Sequence, residues 1–373
     1  MNKPKGRARR DGVGESKCIP PKSSKVVSRG PDQADDKEYS DWKVQTELEM
    51  LVDPPSQLLI MAETMRGRQE VREALRGIRL APSSLSPDRH PQRKFFVADL
   101  FGVPFKDDLA SMEHPLFALQ AGDKRIREYQ HNGVTVAVLP GYHGCATIHD
   151  KDLWIYCISQ LVRAMDQGRE DVARTVRFTA YDFLVTTNRK TSGHAYDLLK
   201  KALRRLKATV IQTNLKTDKA EREKGFGLIE DYDIVEKDPK SERMVALEVT
   251  LPDWLYRAVQ SRSVLTLDPE YFRIRRPLDR RLYELARKHA GDQAKWQCGL
   301  RTLHEKSGSA ATLYKFRESF RELVAANNLP GYRVVYDAEK DQATFYSRRG
   351  HGARIQLQDV VRAVTVEATK KSK

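Results

Sequence analysis

The chain has 373 residues, with 66 Lys and Arg against 51 Asp and Glu and a formal net charge of +15. That length accommodates two hydrophobic cores, and the cation excess suits a polyanionic partner through counterion release. No apolar run approaches the ~20 residues of a membrane span, and the basic start MNKPKGRARRDG lacks the apolar stretch of a signal peptide. The four cysteines (Cys18, Cys145, Cys157, Cys298) are scattered without a CxxC pair, which argues against a disulfide framework or a zinc site and fits a reducing cytoplasm.

In chain order, residues 1–30 are rich in Lys, Arg, Pro, Ser and Gly, the composition of a disordered basic arm. From Asp32 to Asp53 the charge reverses. Pro54-Pro55-Ser56 then opens a helix expected over 57–80, with Leu58, Met61, Met65, Val71, Leu75 and Ile78 at rough amphipathic spacing. APSSLSPDRHP (81–91) is a linker by composition, so residues 1–91 read as a disordered or linker region containing one helix.

The first folded unit is expected over 92–240. FFVADLFGVPF gives a strand-like start and MEHPLFAL follows a charged turn. VTVAVLP (134–140) reads as a strand, and 150–165 as a helix through Leu153, Trp154, Cys157, Ile158, Leu161 and Met165. A short helix over 179–187, with Thr179 as N-cap, then meets a turn from Asn188 to Gly193. In the basic helix that follows, residues placed about 100° apart put Ala195, Tyr196, Leu199, Ala202, Leu203 and Leu206 on one apolar stripe. Gly193, His194, Asp197, Lys201, Arg204 and Arg205 fall opposite, with Lys200 and Lys207 on a flank. TVIQTN and FGLIEDYDIV are the expected strands of a hairpin whose loop, 216–225, carries Lys216, Lys219, Arg222 and Lys224. A charged helix face alone is ordinarily just solvated. Short helix, turn, basic helix and basic hairpin, however, is the order of a winged helix-turn-helix, whose second helix enters the major groove while the hairpin reaches phosphates.

The same grammar recurs over 241–350. MVALEVTLPDWLYRAV supplies a strand and a short helix, and VLTLDPEYFRI leads into a helix over 277–290. There Leu278, Leu282, Leu285 and Ala286 should face inward, with Arg280, Arg281, Arg287 and Lys288 outward. A short strand at 296–298 and a short helix over 300–306 precede a second candidate recognition helix over 311–327. This helix buries Leu313, Phe316, Phe320, Leu323 and Val324, and leaves Thr312, Lys315, Arg317 and Arg321 for a partner. YRVVYDAEKDQATFYSRR reads as a hairpin, and 351–373 as a C-terminal tail. The expected fold class is α+β, with two tandem winged-helix domains behind a disordered basic N-terminal region.

Several chemistries find no residues to carry them. None of the nine histidines forms the His-x-His pair that a metal-dependent DNA-nicking enzyme requires. His143, Cys145, His149 and Asp150 lie close together but without zinc-ligand spacing. The dipeptide Gly-Lys is absent, so there is no phosphate loop for ATP. The expectation is a protein that is not an enzyme, with no cofactor and no metal.

With those segments in view, the sequence resembles the bacterial plasmid replication initiator protein A family. The resemblance rests on VADLFGVPFKDDLASMEHPLFAL (97–119), REYQHNGVTVAVLP (127–140), ATIHDKDLWIYCISQL (146–161), RTVRFTAYDFLVTTNR (174–189), HAYDLLKKALRRLKATVIQTN (194–214) and GFGLIEDYDIV (225–235). It extends over about 95–350 once a weaker second half is included. It implies an initiator that binds repeated sites (iterons) in double-stranded DNA at a plasmid origin, helps open the duplex, and recruits the host initiator and replicative helicase. A homodimer through the first winged-helix domain, and binding to single strands, are further implications of the resemblance. Tyr181 and Tyr196 could stack on bases, but they fall on apolar faces where core packing is the expectation.

For duplex DNA, the contact candidates in the first unit are His194, Lys200, Lys201, Arg204 and Arg205, with Ser192 and Gly193 at the helix N-terminus near phosphate. The loop cations Lys216, Lys219, Arg222 and Lys224 would hold the backbone. In the second unit Thr312, Lys315, Arg317 and Arg321 play the equivalent part. Two other readings share these features: a winged-helix transcriptional regulator acting as an autorepressor, and a general single-stranded-DNA-binding protein.

Overall fold

The structure, a computed structural model, describes residues 85–90, 104–131, 134–217, 220–236, 244–291, 293–348 and 350–371. The basic arm, the acidic block and the helix expected over 57–80 lie outside the described residues. Strand β1 (Lys106–Asp108) leads into helix α1 (Leu109–Glu113), whose N-cap Asp108 accepts a hydrogen bond from the Ser111 amide at 2.8 Å. Strands β2 (Arg127–His131) and β3 (Val134–Leu139) pair antiparallel. Helix α2 (Asp152–Asp166), β4 (Thr175–Phe178), α3 (Ala180–Thr186) and α4 (Gly193–Ala208) follow. Next come β5 (Val210–Thr217), β6 (Ala220–Gly227), β7 (Asp231–Glu236), β8 (Met244–Thr250) and α5 (Asp253–Gln260). Strand β9 (Val264–Thr266) and a 3₁₀ turn (Pro269–Arg273) lead to α6 (Pro277–Ala290), β10 (Lys295–Gly299), α7 (Leu300–Ser307) and α8 (Leu313–Ala326). Strands β11 (Tyr332–Asp337) and β12 (Gln342–Ser347) and helix α9 (Gly350–Lys371) end the chain.

One order of elements occurs twice. Helix, strand, helix, helix, strand, strand is traced by α2-β4-α3-α4-β7-β8, with the strands β5 and β6 inserted after α4, and again without insertion by α6-β10-α7-α8-β11-β12. In both cases the three strands assemble with the last in the middle, β4-β8-β7 and β10-β12-β11. Each turn between the paired helices uses a left-handed residue, Asn188 at φ 56° in the first and Gly308 at φ 68° in the second. Glycine is required at the second for a further reason: a Cβ there would lie 2.7 Å from the Pro115 side chain. Each repeat has its own core. Trp154, Tyr156, Phe178 and Phe183 centre the first; Tyr283, Phe316, Phe320 and Phe345 centre the second.

Several elements differ from the sequence reading. FGLIEDYDIV is not one strand. β6 stops at Gly227, where a Cβ would meet the Ile229 carbonyl at 2.8 Å, and β7 restarts at Asp231 in a different sheet. The β5–β6 hairpin joins β2 and β3 in a four-stranded sheet, order β2-β3-β5-β6, and so lies outside the three-stranded sheet of its repeat. Its ladder runs to Thr217↔Ala220, which puts Lys216, Arg222 and Lys224 at strand positions and not in a loop; Lys219 lies outside the described residues. Strand β8, read as the opening of the second unit, pairs with β4 and β7 and places Leu247 and Val249 in the first core. The residues expected as a tail form α9, where Ala353, Leu357 and Val361 are buried and Asp359 receives Lys295 (2.5 Å) and the Tyr346 hydroxyl (2.9 Å).

The largest difference concerns α6. Arg280 and Arg281, expected in solvent, are 4% and 2% exposed. Arg281 donates to the carbonyls of Ser111, Met112, Glu113 and Lys306, and Arg280 donates to Asp152 at 2.5 Å. Beside them Lys151, fully buried, contacts Asp107 at 2.7 Å and Glu284 at 3.0 Å. Burial disfavours the Lys151 cation, yet the flanking carboxylates Asp107 and Glu284 raise its pKa and keep it charged. The two repeats therefore meet through buried charge as well as through Met112 and Ile155, which sit in the second core.

Two outcomes follow. Lys151→Ala leaves the buried Asp107 without its cation, while Glu284 keeps Arg281 at 3.2 Å, and urea unfolding should register a loss of about 3–5 kcal/mol. At Glu113, burial pushes the carboxyl up, but hydrogen bonds from Lys288 and Lys306 override it and bring the pKa from 4.5 to about 2. That contribution is complete above the unfolded pKa and is lost as pH falls from 4.5 toward 2. Glu113→Gln should accordingly be less stable at neutral pH and lose less stability across that acid window.

Candidate nucleic-acid interface

The unit α3–turn–α4 is built from local signals that the sequence carries plainly. The Thr179 hydroxyl caps α3 by accepting from the Asp182 amide at 3.0 Å. Asn188 then takes the left-handed conformation that ends the helix. Arg189 fixes the turn from outside, donating to the His149 carbonyl at 2.5 Å and to Asp152 at 2.7 Å. Burial, with Arg280 and Arg189 nearby, lowers the His149 pKa to about 4, so that imidazole is neutral at physiological pH.

Helix α4 buries Ala195, Leu199, Ala202, Leu203 and Leu206, as its periodicity predicts. His194, Lys201 and Arg204 are exposed on the other side, with Asp197 the accompanying acid and Leu198 at 42% exposure. Its N-terminus is exposed from Thr191 to His194, Ser192 makes no side-chain cap bond, and the first turn holds no acidic residue. The positive end of the helix dipole at Ser192 and Gly193 is thereby left open to an anion.

The remaining candidates divide. Arg205 is turned inward and forms a two-pronged pair with Asp150 at 2.8 and 2.7 Å, which raises its pKa further. Lys200 is half-buried, and Lys207 is held by the Glu230 carbonyl and Asp231. Lys224 is exposed on β6. In the second repeat Thr312 is engaged as the N-cap of α8, and Arg317 pairs with Asp341 at 3.0 and 2.7 Å. Lys315 and Arg321 are exposed, but Arg321 lies over the Tyr336 ring, and Glu318 and Glu322 share the surface. The outward cationic character of α8 is therefore weaker than that of α4.

Tyr181, expected on an apolar face, is 44% exposed, whereas Tyr196 packs against the first core as expected. Arg89, Arg189 and Arg275, which no sequence pattern singles out, gather near the α3–α4 turn from distant parts of the chain. No periodicity marks them, because two lie in irregular connections and the third in a turn. Among the described residues no group of three His, Cys, Asp or Glu side chains could hold a metal, and no helix is long and apolar enough to cross a membrane.

Comparison with known proteins gives three findings. A family described as Replication initiator protein A matches residues 106–334. A protein of Wigglesworthia glossinidia brevipalpis that carries a replication-protein name is 40% identical over 258 residues, covering 69% of this chain and 94% of that one. Among solved structures, domains 2 and 3 of RctB superpose with a TM-score of 0.50 at 13% identity, over 65% of this chain and 96% of that one, a likeness of fold.

The opposite environments of two neighbouring arginines give a test. Arg205→Ala strips Asp150, 4% exposed, of its paired cation; thermal or urea unfolding should show a loss of about 1–3 kcal/mol. Arg204→Ala should leave stability within about 0.5 kcal/mol of the parent.

Proposed function

Because the chain belongs to the replication initiator protein A family, we propose that it starts replication by binding repeated sites in duplex DNA at an origin through two winged helices. The repeated order of helix, strand, helix, helix, strand and strand, each with its three-stranded sheet, supports the winged-helix reading. One observation carries the DNA assignment: α4 presents His194, Lys201 and Arg204 outward beside an uncapped helix N-terminus. In this reading α4 lies in a major groove. Ser192 and Gly193 approach a phosphate, and Lys201 and Arg204 divide between base edges and backbone. Lys224, and with it Lys216, Lys219 and Arg222, follows the backbone alongside. Helix α8 approaches a second groove through Lys315 and Arg321. Its smaller excess of cations supports a positioning part.

The first winged helix in this proposal runs through β8 and α5, the second from α6 to β12. The protein acts without catalysis of its own: bound at tandem iterons it helps open the neighbouring duplex and presents a surface to the host initiator and the replicative helicase. Pairing of two copies through the first winged helix belongs to the same proposal.

Nuclease footprinting of the purified protein on DNA flanking its own gene, at near-physiological salt with competitor, tests the reading. Evenly phased protection over tandem repeats is the expected result. Protection of a lone promoter palindrome would replace it with a transcriptional regulator, and capture of single strands alone would replace it with a strand-binding factor. Lys201→Ala with Arg204→Ala should lower the slope of log affinity against log salt by up to about 1.8, at roughly 0.9 for each phosphate no longer neutralised. Fluorescence anisotropy across a salt series measures that slope, and an unchanged value would remove α4 from the interface.

A further inference from the structure

We infer that the cavity beside the α3–α4 turn is a phosphate site, filled by a backbone phosphate of the duplex that α4 engages; the inference rests on the duplex-binding reading above. The cavity has a volume of about 420 Å³ and is walled by distant parts of the chain: residues 86–89, Ala121, residues 147–152 at the start of α2, the α3–α4 turn with one side of α4, and residues 272–280. Five arginines line it (Arg89, Arg189, Arg205, Arg275 and Arg280) against two carboxylates, Asp150 and Asp152, a difference of +3.

Both carboxylates are already committed. Asp150 gives its two oxygens to Arg205, and Asp152 divides its oxygens between Arg280 and Arg189. An incoming anion therefore meets donors and no free acid. Arg89 and Arg275 are exposed and make no ion pair among the described residues. The Arg189 Nε is buried with no hydrogen-bond partner in the cavity wall or elsewhere among the described residues. A planar guanidinium donates two parallel N–H groups, which match the oxygens of a phosphate.

The site is also built, and not a chance gathering of surface arginines. Residues 86–90 are strapped across the turn. The Ser86 amide and hydroxyl both donate to the Arg273 carbonyl at 2.9 Å, and Arg273 Nε returns a bond to the Ser86 carbonyl at 2.6 Å. The Arg89 amide donates to the Asn188 side chain at 2.8 Å, Asn188 donates to the Pro87 carbonyl at 3.1 Å, and His90 meets the Arg189 carbonyl at 2.6 Å. Arg89 is thus fixed by its backbone to the residue that forms the helix-turn-helix corner. Leu198 and Arg205 of α4 line the same cavity, so an anion there lies next to the helix that reads the groove.

A free phosphate or nucleotide shares this chemistry, and the experiment separates the sources. Arg89→Gln with Arg275→Gln is compared with the parent chain by fluorescence anisotropy on duplex DNA over a salt series, with thermal melting as a control for folding. For one phosphate contact the slope of log affinity against log salt should fall by about 0.9 with no change in melting. Parent and variant with the same slope would overturn the site while leaving duplex binding intact. A parent chain that binds no duplex at any salt would instead remove the reading beneath it, and with it the backbone source. Isothermal titration with inorganic pyrophosphate forms the second arm. Saturable binding that the variant abolishes, together with an unchanged salt slope, would reassign the cavity to a free phosphate ligand and overturn the DNA source.

Discussion

The arrangement of the two repeats depends on two consecutive residues at the start of α2, Lys151 and Asp152. Lys151 is enclosed by Asp107 and Glu284, and Asp152 divides its oxygens between Arg280 and Arg189. Buried ion pairs of this kind are poor sources of net stability, since the desolvation of each charge offsets most of the mutual attraction. What they supply is direction. Apolar contacts such as those of Met112 and Ile155 are nondirectional and tolerate sliding, whereas a guanidinium against a carboxylate has one good geometry. With Arg281 also capping the carbonyls at the end of α1, α6 has a single seat against the first repeat.

That seat adjoins the turn between the paired helices in each repeat. Asp152 holds Arg189 in the first turn, and Pro115, just after α1, fills the space that a side chain at Gly308 in the second would need. A rotation of α6 relative to α2 would be felt at the residue that directs α4. For a protein proposed to read tandem sites with two helices, a fixed mutual orientation sets the spacing that can be matched on the duplex. It also removes from binding the entropy that two freely hinged modules would lose on docking.

How far this was legible in sequence depends on how local each determinant is. The capping threonine Thr179, the apolar stripes of α4 and α8, and the glycine after α7 are set by neighbours within a few residues, and local sequence signals located them; Thr312, read as a DNA contact, is instead the N-cap of α8. The role of Arg280 was hidden because its partner Asp152 is 128 positions away, and an Arg-Arg pair in a helix reads as a solvated face. The β5–β6 hairpin was legible as a hairpin, but its membership of the β2–β3 sheet depends on long-range register that no local pattern encodes. Helix α9 carried an apolar spacing of four in Ala353, Leu357 and Val361 that a tail would not need. The exposed candidates His194, Lys201 and Arg204 were found by periodicity. The gathering of Arg89, Arg189 and Arg275 was not, since it exists only once three remote segments have folded together.

Arg204 and Arg205 show why a run of positive charge is too coarse a unit for reading function. The two are adjacent, identical in chemistry and indistinguishable in composition. A rotation of about 100° along α4 separates them: Arg204 faces solvent, and Arg205 faces Asp150, 55 positions earlier in the chain, and spends its charge there. In α8 the same division falls between Arg321 and Arg317, the latter spent on Asp341. A formal charge of +15 governs how readily a polyanion is attracted from a distance. Which residue can hold it at contact is decided by the cations that folding has left without a carboxylate, among them Lys201 and Arg204 on α4 and Arg89 and Arg275 beside the turn that precedes it.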